Sequence, residues 1–461
     1  MSESAQPSTK NRSTTPTSSA FQTYVGEHWA ERTDALPSLR EHAKYAAARR
    51  HALSAKFPGE RLVFEAGAMQ VRSNDTFYMF RAHSDFAWLT GWGSDSEPDA
   101  VLVMEPTAAG HNASLYFRAP AGRDSDEFYA NPDIGEFWVG PRPSLAHVAA
   151  ELGLPACDLA ALPAALKADA PTRTVPGDSD LSQEVSEMRL VKDAYEIGQM
   201  QIAIEATSRG FSDIVRVLPL IAGNPRGERI IEGAFASRAR LEGNGVGYET
   251  IAASGAHACI LHWIKNDGTV NAGDLVLIDA GVEVDSYYTA DITRTLPASG
   301  KFTPVQRKVY EAVREAADAA FAVIRPGITF HEVHDAAMEV IAAKVAEWGF
   351  LPLSAEESLK PENQHHRRYM VHGTSHHLGI DVHDCAAARR EMYKDGIVAE
   401  GMVFTVEPGL YFQPDDLTMP EEYRGIGVRI EDDIVVTKDG AINLSASIPR
   451  TADEVEAWLA R

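Results

Sequence analysis

The sequence predicts a two-domain protein in which a smaller α/β domain precedes a larger one that mixes helices with strands. Three observations carry that expectation. The chain has 461 residues, 44% of them apolar, which is more than one hydrophobic core usually organises. From about residue 38 to 185, helical stretches alternate with short apolar runs bounded by Pro, Gly, Asn or Asp, such as Ala100-Val101-Leu102-Val103-Met104 and Ser114-Leu115-Tyr116-Phe117. A polar stretch, TRTVPGDSDLSQEVSEMR, then precedes a long helical pattern from near Leu190 to about Leu218. The boundary is expected within 175–188. This gives a tail and lead-in over 1–37, a first domain over 38–185, a second over 186–450 and a short tail over 451–461.

The opening stretch, MSESAQPSTKNRSTTPTSSA, is rich in Ser, Thr and Pro with almost nothing to bury, and reads as a disordered tail. In the second half, Thr303-Pro304 supplies an N-cap and a first-turn proline ahead of Val305, Val309, Val313 and Phe321, and Pro326-Gly327 stops that helix. Thr329 and Glu332 have capping-box spacing for the next one. Strand-like runs lie at Leu275-Val276-Leu277-Ile278, Met402-Val403-Phe404-Thr405-Val406 and Gly427-Val428-Arg429-Ile430. No solenoid-type repeat is present.

Charge and cysteine usage exclude several classes. With 66 acidic against 43 basic residues the net charge is -23, so the chain lacks the basic footprint of a nucleic-acid binder. Cys157, Cys259 and Cys385 stand far apart, with neither metal-ligand spacing nor a disulfide framework, which suits a reducing cytoplasm. No apolar run approaches the roughly 18 residues of a membrane span, and residues 1–20 lack a secretory core. A soluble, cytoplasmic protein is expected.

The chemistry gathers where carboxylates interrupt apolar strands. In LVLIDAGVEVDSYYTADITRT, two strand patterns flank a polar turn, so the segment reads as a hairpin with Asp279 and Asp291 on opposite arms. Either aspartate alone could cap a loop. Glu407 ends the strand before Pro408-Gly409, and Glu431 lies within GVRIEDDIVV, again inside an apolar run. Burying a lone carboxylate is costly. Four in one pocket would repel unless divalent cations neutralised them. Arg429, two residues before Glu431, falls on the same strand face and could hold that carboxylate. His372, His376, His377 and His383 cluster in MVHGTSHHLGIDVHD, where Gly373 and Gly379 suggest close backbone packing. One or two of these imidazoles should face the acids.

Two other catalytic patterns fail. His331-Glu332-Val333-His334 places its histidines at i and i+3 in a capped first turn, whereas a zinc-protease helix needs i and i+4, so both read as exposed helix residues. No GxSxG elbow is present and no cysteine has a catalytic context.

Taken together, ILHW at 260–263, LVLIDAG at 275–281, ADITRT at 290–295, VHGTSHHLGIDVHD at 371–384, VEPGLY at 406–411 and RGIGVRIEDDIVV at 424–436 resemble the proline-specific aminopeptidases (aminopeptidase P, Xaa-Pro aminopeptidase) of the pita-bread metallopeptidase superfamily. The resemblance spans roughly residues 38–450. It implies an α/β N-terminal creatinase-like domain and an α+β pita-bread catalytic domain holding two divalent ions, usually Mn²⁺. Asp279 would bind one ion, Asp291 and Glu431 would bridge both, and His376 with Glu407 would complete the other. One imidazole among four carboxylates suits manganese or a related borderline metal better than a sulfur-ligated zinc. The resemblance further implies that Glu407 moves the proton, that His262, His372 and His383 stabilise the oxyanion or shape the proline pocket, and that Tyr411 and Arg429 support them. Peptides with proline second would be the substrates, and a homo-oligomer, dimer or tetramer, the assembly.

One departure concerns Asp85-Phe86-Ala87-Trp88, where relatives often carry the aromatic directly after Asp-Phe. Trp88 is accordingly expected in the core. Alternatives on the same fold are an Xaa-Pro dipeptidase and a metal-free binding or creatinase-type protein. The complete ligand set argues against the second. The Thr374-Ser375-His376 context and EEYRGIGVRIEDD more closely resemble the aminopeptidase branch, which, with the length of the N-terminal domain, implies release of the N-terminal residue from peptides of three or more residues.

Overall fold

The computed structural model describes residues 14–30, 35–167 and 169–460. Two compact units result, dividing between Ser182 and Gln183.

The first unit is built on a mixed five-stranded sheet. Arg61–Glu65 pairs antiparallel with Val101–Thr107 and parallel with Thr172–Val175. Val101–Thr107 continues antiparallel to Gly110–Phe117, which runs parallel to Ala156–Asp158. Successive side chains alternate between faces. Accordingly Val63, Val101, Val103 and Tyr116 form one cluster against Leu159 and Leu162. The intervening Leu62, Phe64, Leu102, Leu115 and Phe117 are fully buried too, so both faces are covered, which is why these strands read as continuous apolar runs. Helix Ser84–Thr90 starts at His83 and ends at Gly91, whose φ of 72° is readily adopted by glycine. Trp88 on this helix is only 3% exposed, with the Arg49 guanidinium over its ring, and is a core residue.

Of the opening tail, residues 1–13 lie outside the described residues. The disorder expected for the remainder stops at Ser19, where helix Ser19–Gly26 begins. Ser18 caps it and Phe21 packs edge-on against Tyr129, 5.2 Å between centroids. This aromatic contact provides the burial that the Ser/Thr-rich composition could not.

In the second unit, Leu275–Ala280 is the central strand of a sheet flanked by Ile251–Ser254 and Ile292–Pro297, both antiparallel to it. A second sheet comprises Val403–Val406, Asp432–Thr437 and Gly440–Asn443. The two meet at a bridge between Thr293 and Glu431. Helices Ala194–Val217, Gly227–Glu242, Pro304–Val323 and Phe330–Glu347 cover one continuous apolar core. Thr303 with Gln306 and Thr329 with Glu332 form the capping boxes read from the sequence.

Three local expectations are corrected. The link between the arms carrying Asp279 and Asp291 is no simple turn, because Val282–Glu283 leaves to pair with Gly245–Val246. The final stretch is a helix, Ala452–Leu459, started by a Thr451–Glu454 capping box and buried through Ala452 and Val455. His331 is exposed as expected, but His334 is half-buried. Its Nδ1 lies 2.9 Å from Thr374 Oγ1 and its Nε2 accepts from Arg367 at 2.6 Å. The first turn of that helix is thus tied to the segment bearing His372. Among the described residues no helix is long and apolar enough to cross a membrane.

Candidate active site

The two sheets of the second unit bring together acids far apart in sequence. Asp279 occupies Leu275–Ala280 opposite Thr293, and Asp291 immediately precedes Ile292–Pro297. Glu407 follows Val403–Val406, its N–H donating to the Thr374 carbonyl at 2.8 Å. Glu431 sits in the break between strands Gly427–Arg429 and Asp432–Thr437, its N–H bonded to the Thr293 carbonyl at 3.1 Å. His376 is joined to the same sheet, its carbonyl accepting from the Thr405 N–H at 3.0 Å. These five line one cavity of about 340 Å³ together with His262, His372, His383 and Arg429. The first unit holds a larger cavity, about 870 Å³. There, however, Arg40 is paired with Asp95 and Glu151, and Arg142 with Glu127.

Crowding of these acids governs their protonation. Burial, reinforced by neighbouring carboxylates, pushes Asp291 up and Glu431 well above the ordinary range. Burial likewise raises Glu407 to about 7, with Asp291 and Asp279 adding to it and His376 and Arg429 opposing. For His376 burial works downward, yet the hydrogen bond to Asp291 and the charges of Glu407 and Asp291 raise it to about 9. Its Nδ1 is 3.1 Å from the His377 carbonyl and therefore donates there, which aims Nε2 at Asp291 Oδ2, 3.3 Å away. Donor atoms of Asp291, His376 and Glu431 all lie within 4.8 Å of one another. An oxygen-rich set with one correctly oriented imidazole fits a divalent cation, whose charge would relieve the repulsion.

The remaining histidines divide by environment. His372 Nδ1 donates to the Gly373 carbonyl at 2.7 Å, leaving Nε2 to accept from the Tyr411 hydroxyl at 2.8 Å. Burial and the Arg429 charge hold this imidazole down at about 3, so it is neutral. Arg429 completes the chain, donating to Tyr411 at 3.1 Å. Gly409 leaves room for it, since a Cβ there would come within 2.4 Å of the Tyr411 oxygen. His383 packs edge-on against His376, 4.5 Å between centroids, and His262 is exposed at the cavity mouth. His377 turns away, stacking on Phe330 at 4.7 Å. Close packing holds at Gly379, where a Cβ would lie 2.5 Å from Asp384, but Gly373 is exposed. Arg429 does not hold Glu431 as its spacing suggested. The strand breaks between them, and the guanidinium instead reaches Asp279 Oδ2 at 2.5 Å and Thr293 Oγ1 at 3.1 Å.

Several contributors escaped the sequence reading. The Tyr248 hydroxyl lies 2.6 Å from Asp279 Oδ1 and also reaches Asp291 Oδ1, so it can donate to either in turn. Nothing local marks this tyrosine. Thr293 donates to Glu431 Oε2 at 2.6 Å, and the signal for it was available, because it lies two residues after Asp291 in a strand. Lys394 lines the cavity from the polar run RREMYKDG, which carries no distinguishing pattern. Glu228, fully buried, accepts from the N–H groups of Ser254 and Gly268, from Trp263 Nε1 and from His257 Nδ1 at 2.6 to 2.8 Å. It thereby fastens the segment that carries His262.

Both units are similar to known proteins. Residues 198–438 match the family described as Metallopeptidase family M24, and residues 46–174 match Aminopeptidase P, N-terminal domain. Xaa-Pro aminopeptidase 1 of Streptomyces coelicolor is 52% identical over 436 residues, covering 91% of this chain and 87% of its own length. Xaa-Pro aminopeptidase 2 of the same organism is 51% identical over 453 residues, covering 94% of each chain. The solved aminopeptidase P of Escherichia coli superposes with a TM-score of 0.79 at 32% identity, over 91% of this chain and 98% of that one. The solved aminopeptidase PepP of Pseudomonas aeruginosa gives 0.78 at 32% identity, over 92% and 99%. Carrying both an aminopeptidase P N-terminal domain and the pita-bread catalytic domain, the chain belongs to metallopeptidase family M24.

Proposed function

We propose that the protein is a dinuclear, manganese-dependent aminopeptidase that releases the N-terminal residue from peptides with proline in second position. Asp279, Asp291, His376, Glu407 and Glu431 hold the ions. The observation that carries the reading is the convergence of Asp291, His376 and Glu431 donor atoms within 4.8 Å, in a cavity rimmed by three further histidines. Proline specificity is supported by relatives named Xaa-Pro aminopeptidases at 51–52% identity over nearly the whole chain. Bound divalent ions would bring the pKa of a water toward neutrality and polarise the scissile carbonyl.

The chain's own groups do the rest. Glu407, which follows Val403–Val406 and lines the cavity, would take a proton and return it to the leaving nitrogen. The chain from Arg429 through Tyr411 fixes His372 in one tautomer, so that the ring keeps a defined orientation beside the substrate. His262 and His383, exposed to the cavity, would contact the substrate directly. Arg429 has all three guanidinium nitrogens engaged and supports the site without receiving a peptide carboxylate, which disfavours a dipeptidase built around it. Three free cysteines accord with a cytoplasmic location, and the exposed Phe137, Trp138 and Val139 with a homo-oligomer.

The test is a metal-reconstituted assay on Xaa-Pro, Xaa-Pro-Xaa and Xaa-Ala-Xaa peptides. The tripeptide with proline should have the highest kcat/KM. A higher value for the dipeptide would overturn the aminopeptidase reading, and equal cleavage of the alanine control would overturn proline specificity.

A further inference from the structure

Two cations other than histidine line the cavity, Arg429 and Lys394, and their circumstances differ. Arg429 is spent on Asp279, Tyr411 and Thr293. The Lys394 ammonium has three protons to donate, and one goes to the Ser375 carbonyl at 3.2 Å. Its other neighbours are the faces of Phe330 and Tyr393, 5.7 and 5.4 Å from the ring centroids. Among the described residues Lys394 forms no ion pair with a carboxylate. Burial pulls its pKa down, with Glu407 offsetting only part of this. A half-buried ammonium without a counterion is an expense the fold does not need for packing alone.

The position gives that charge a use. Nζ lies beside the backbone from Gly373 to Ser375, where a Cβ on Gly373 would be 3.7 Å away, so it sits between the segments carrying His372 and His376. The acids Asp279, Asp291, Glu407 and Glu431 line the same cavity as this ammonium. A zwitterionic peptide entering such a field turns its amine toward the acids and its carboxylate toward the ammonium.

We propose that Lys394 receives a carboxylate on the leaving side of the peptide, past the proline, and so favours substrates whose third residue is the anionic C-terminus or bears an acidic side chain. The proposal rests on the peptidase reading above. It makes Lys394 a specificity-determining residue.

The experiment compares kcat/KM of metal-loaded protein for Ala-Pro-Ala, Ala-Pro-Ala-amide and Ala-Pro-Asp-amide, in the parent, Lys394→Met and Lys394→Arg. The parent should prefer an anionic peptide over the neutral amide by about tenfold, the discrimination one charge-assisted hydrogen bond provides. That ratio should fall toward one in Lys394→Met and persist in Lys394→Arg. Preference for the free acid alone identifies the terminus as the source, and preference for the Asp peptide alone identifies the side chain. In the parent, raising ionic strength should shrink the ratio without any substitution. Calorimetric affinities for Pro-Ala and Pro-Ala-amide read the same preference without turnover. If no peptide is hydrolysed, the peptidase reading fails while this binding ratio still decides the role of Lys394. An anionic-to-neutral ratio that is the same in parent and Lys394→Met, by rate and by affinity, overturns the proposal.

Discussion

Arg429 Nη2 stands 2.5 Å from Asp279 Oδ2, both side chains buried, and the same guanidinium reaches Tyr411 and Thr293. One residue therefore links an acid of the cavity to the tautomer of His372. Arg429→Lys keeps the charge but cannot span three acceptors. It should cost about 1.5–3 kcal/mol of stability and lower kcat, read by denaturant titration and steady-state kinetics. A variant as stable and active as the parent would show that the fork is dispensable.

Metal dependence follows from the crowded acids. Asp291→Ala and Glu407→Ala should each reduce activity by at least about a hundredfold, with the far-ultraviolet circular dichroism retained. In metal-free protein Asp291→Ala should be no less stable than the parent, because it relieves repulsion with Asp279 and Glu431. Added divalent metal should raise the Tm of the parent alone. Full turnover by chelated protein, verified metal-free by elemental analysis, would sink the metal hypothesis.

Adjacent histidines should separate cleanly. His376→Ala should lower metal occupancy, since Nε2 faces the acids. His377→Ala should leave occupancy close to normal but destabilise the fold by on the order of 2 kcal/mol, because its ring is stacked on Phe330 in a fully buried site. Equal metal loss in the two variants would reverse the assignment.

Acid sensitivity should trace in part to Asp384, a buried carboxylate bound to Arg189 and, at 2.9 Å, to Lys192. Burial works to raise this carboxyl, and the two cations overcome it, holding the carboxyl well below its usual range. Its stabilisation is therefore present above the unfolded value of about 4 and is lost as pH falls through the lower folded value. Asp384→Asn should cost about 3–5 kcal/mol at neutral pH by leaving the buried Lys192 without this carboxylate, while Arg189 keeps Asp381 at 2.7 Å. It should also flatten the acid limb of a stability profile measured between pH 7 and 2. An unchanged acid limb would assign the sensitivity elsewhere.

Legibility of the site tracked the cost of burial. Asp279, Asp291, Glu407 and Glu431 stood out because each interrupts an apolar strand, an arrangement few sequences tolerate without compensation. His376 was separable from His377 only through the family resemblance, as periodicity treats the two alike. Tyr248 and Glu228 left no mark, because their meaning lies in partners 26 to 43 residues away. The capped helices were readable from local chemistry, and so were the apolar runs that became Val101–Thr107 and Gly110–Phe117, whereas Thr172–Val175 was hidden in a polar stretch. The helix at Ala452–Leu459 was missed although Thr451 and Glu454 spell its capping box. Arg429 misled for a further reason: strand periodicity was extended across a break that only tertiary pairing creates.

The bridge between Thr293 and Glu431 joins residues 138 positions apart. On a ribosome moving at roughly 5–20 residues per second, the earlier half of the acid cluster waits on the order of ten seconds for its counterpart. Until Glu431 emerges and pairs, the cavity has no floor and the carboxylates remain hydrated rather than compressed. Capture of a metal by the full set of acids would thereby wait until Glu431 has been made and paired with Thr293.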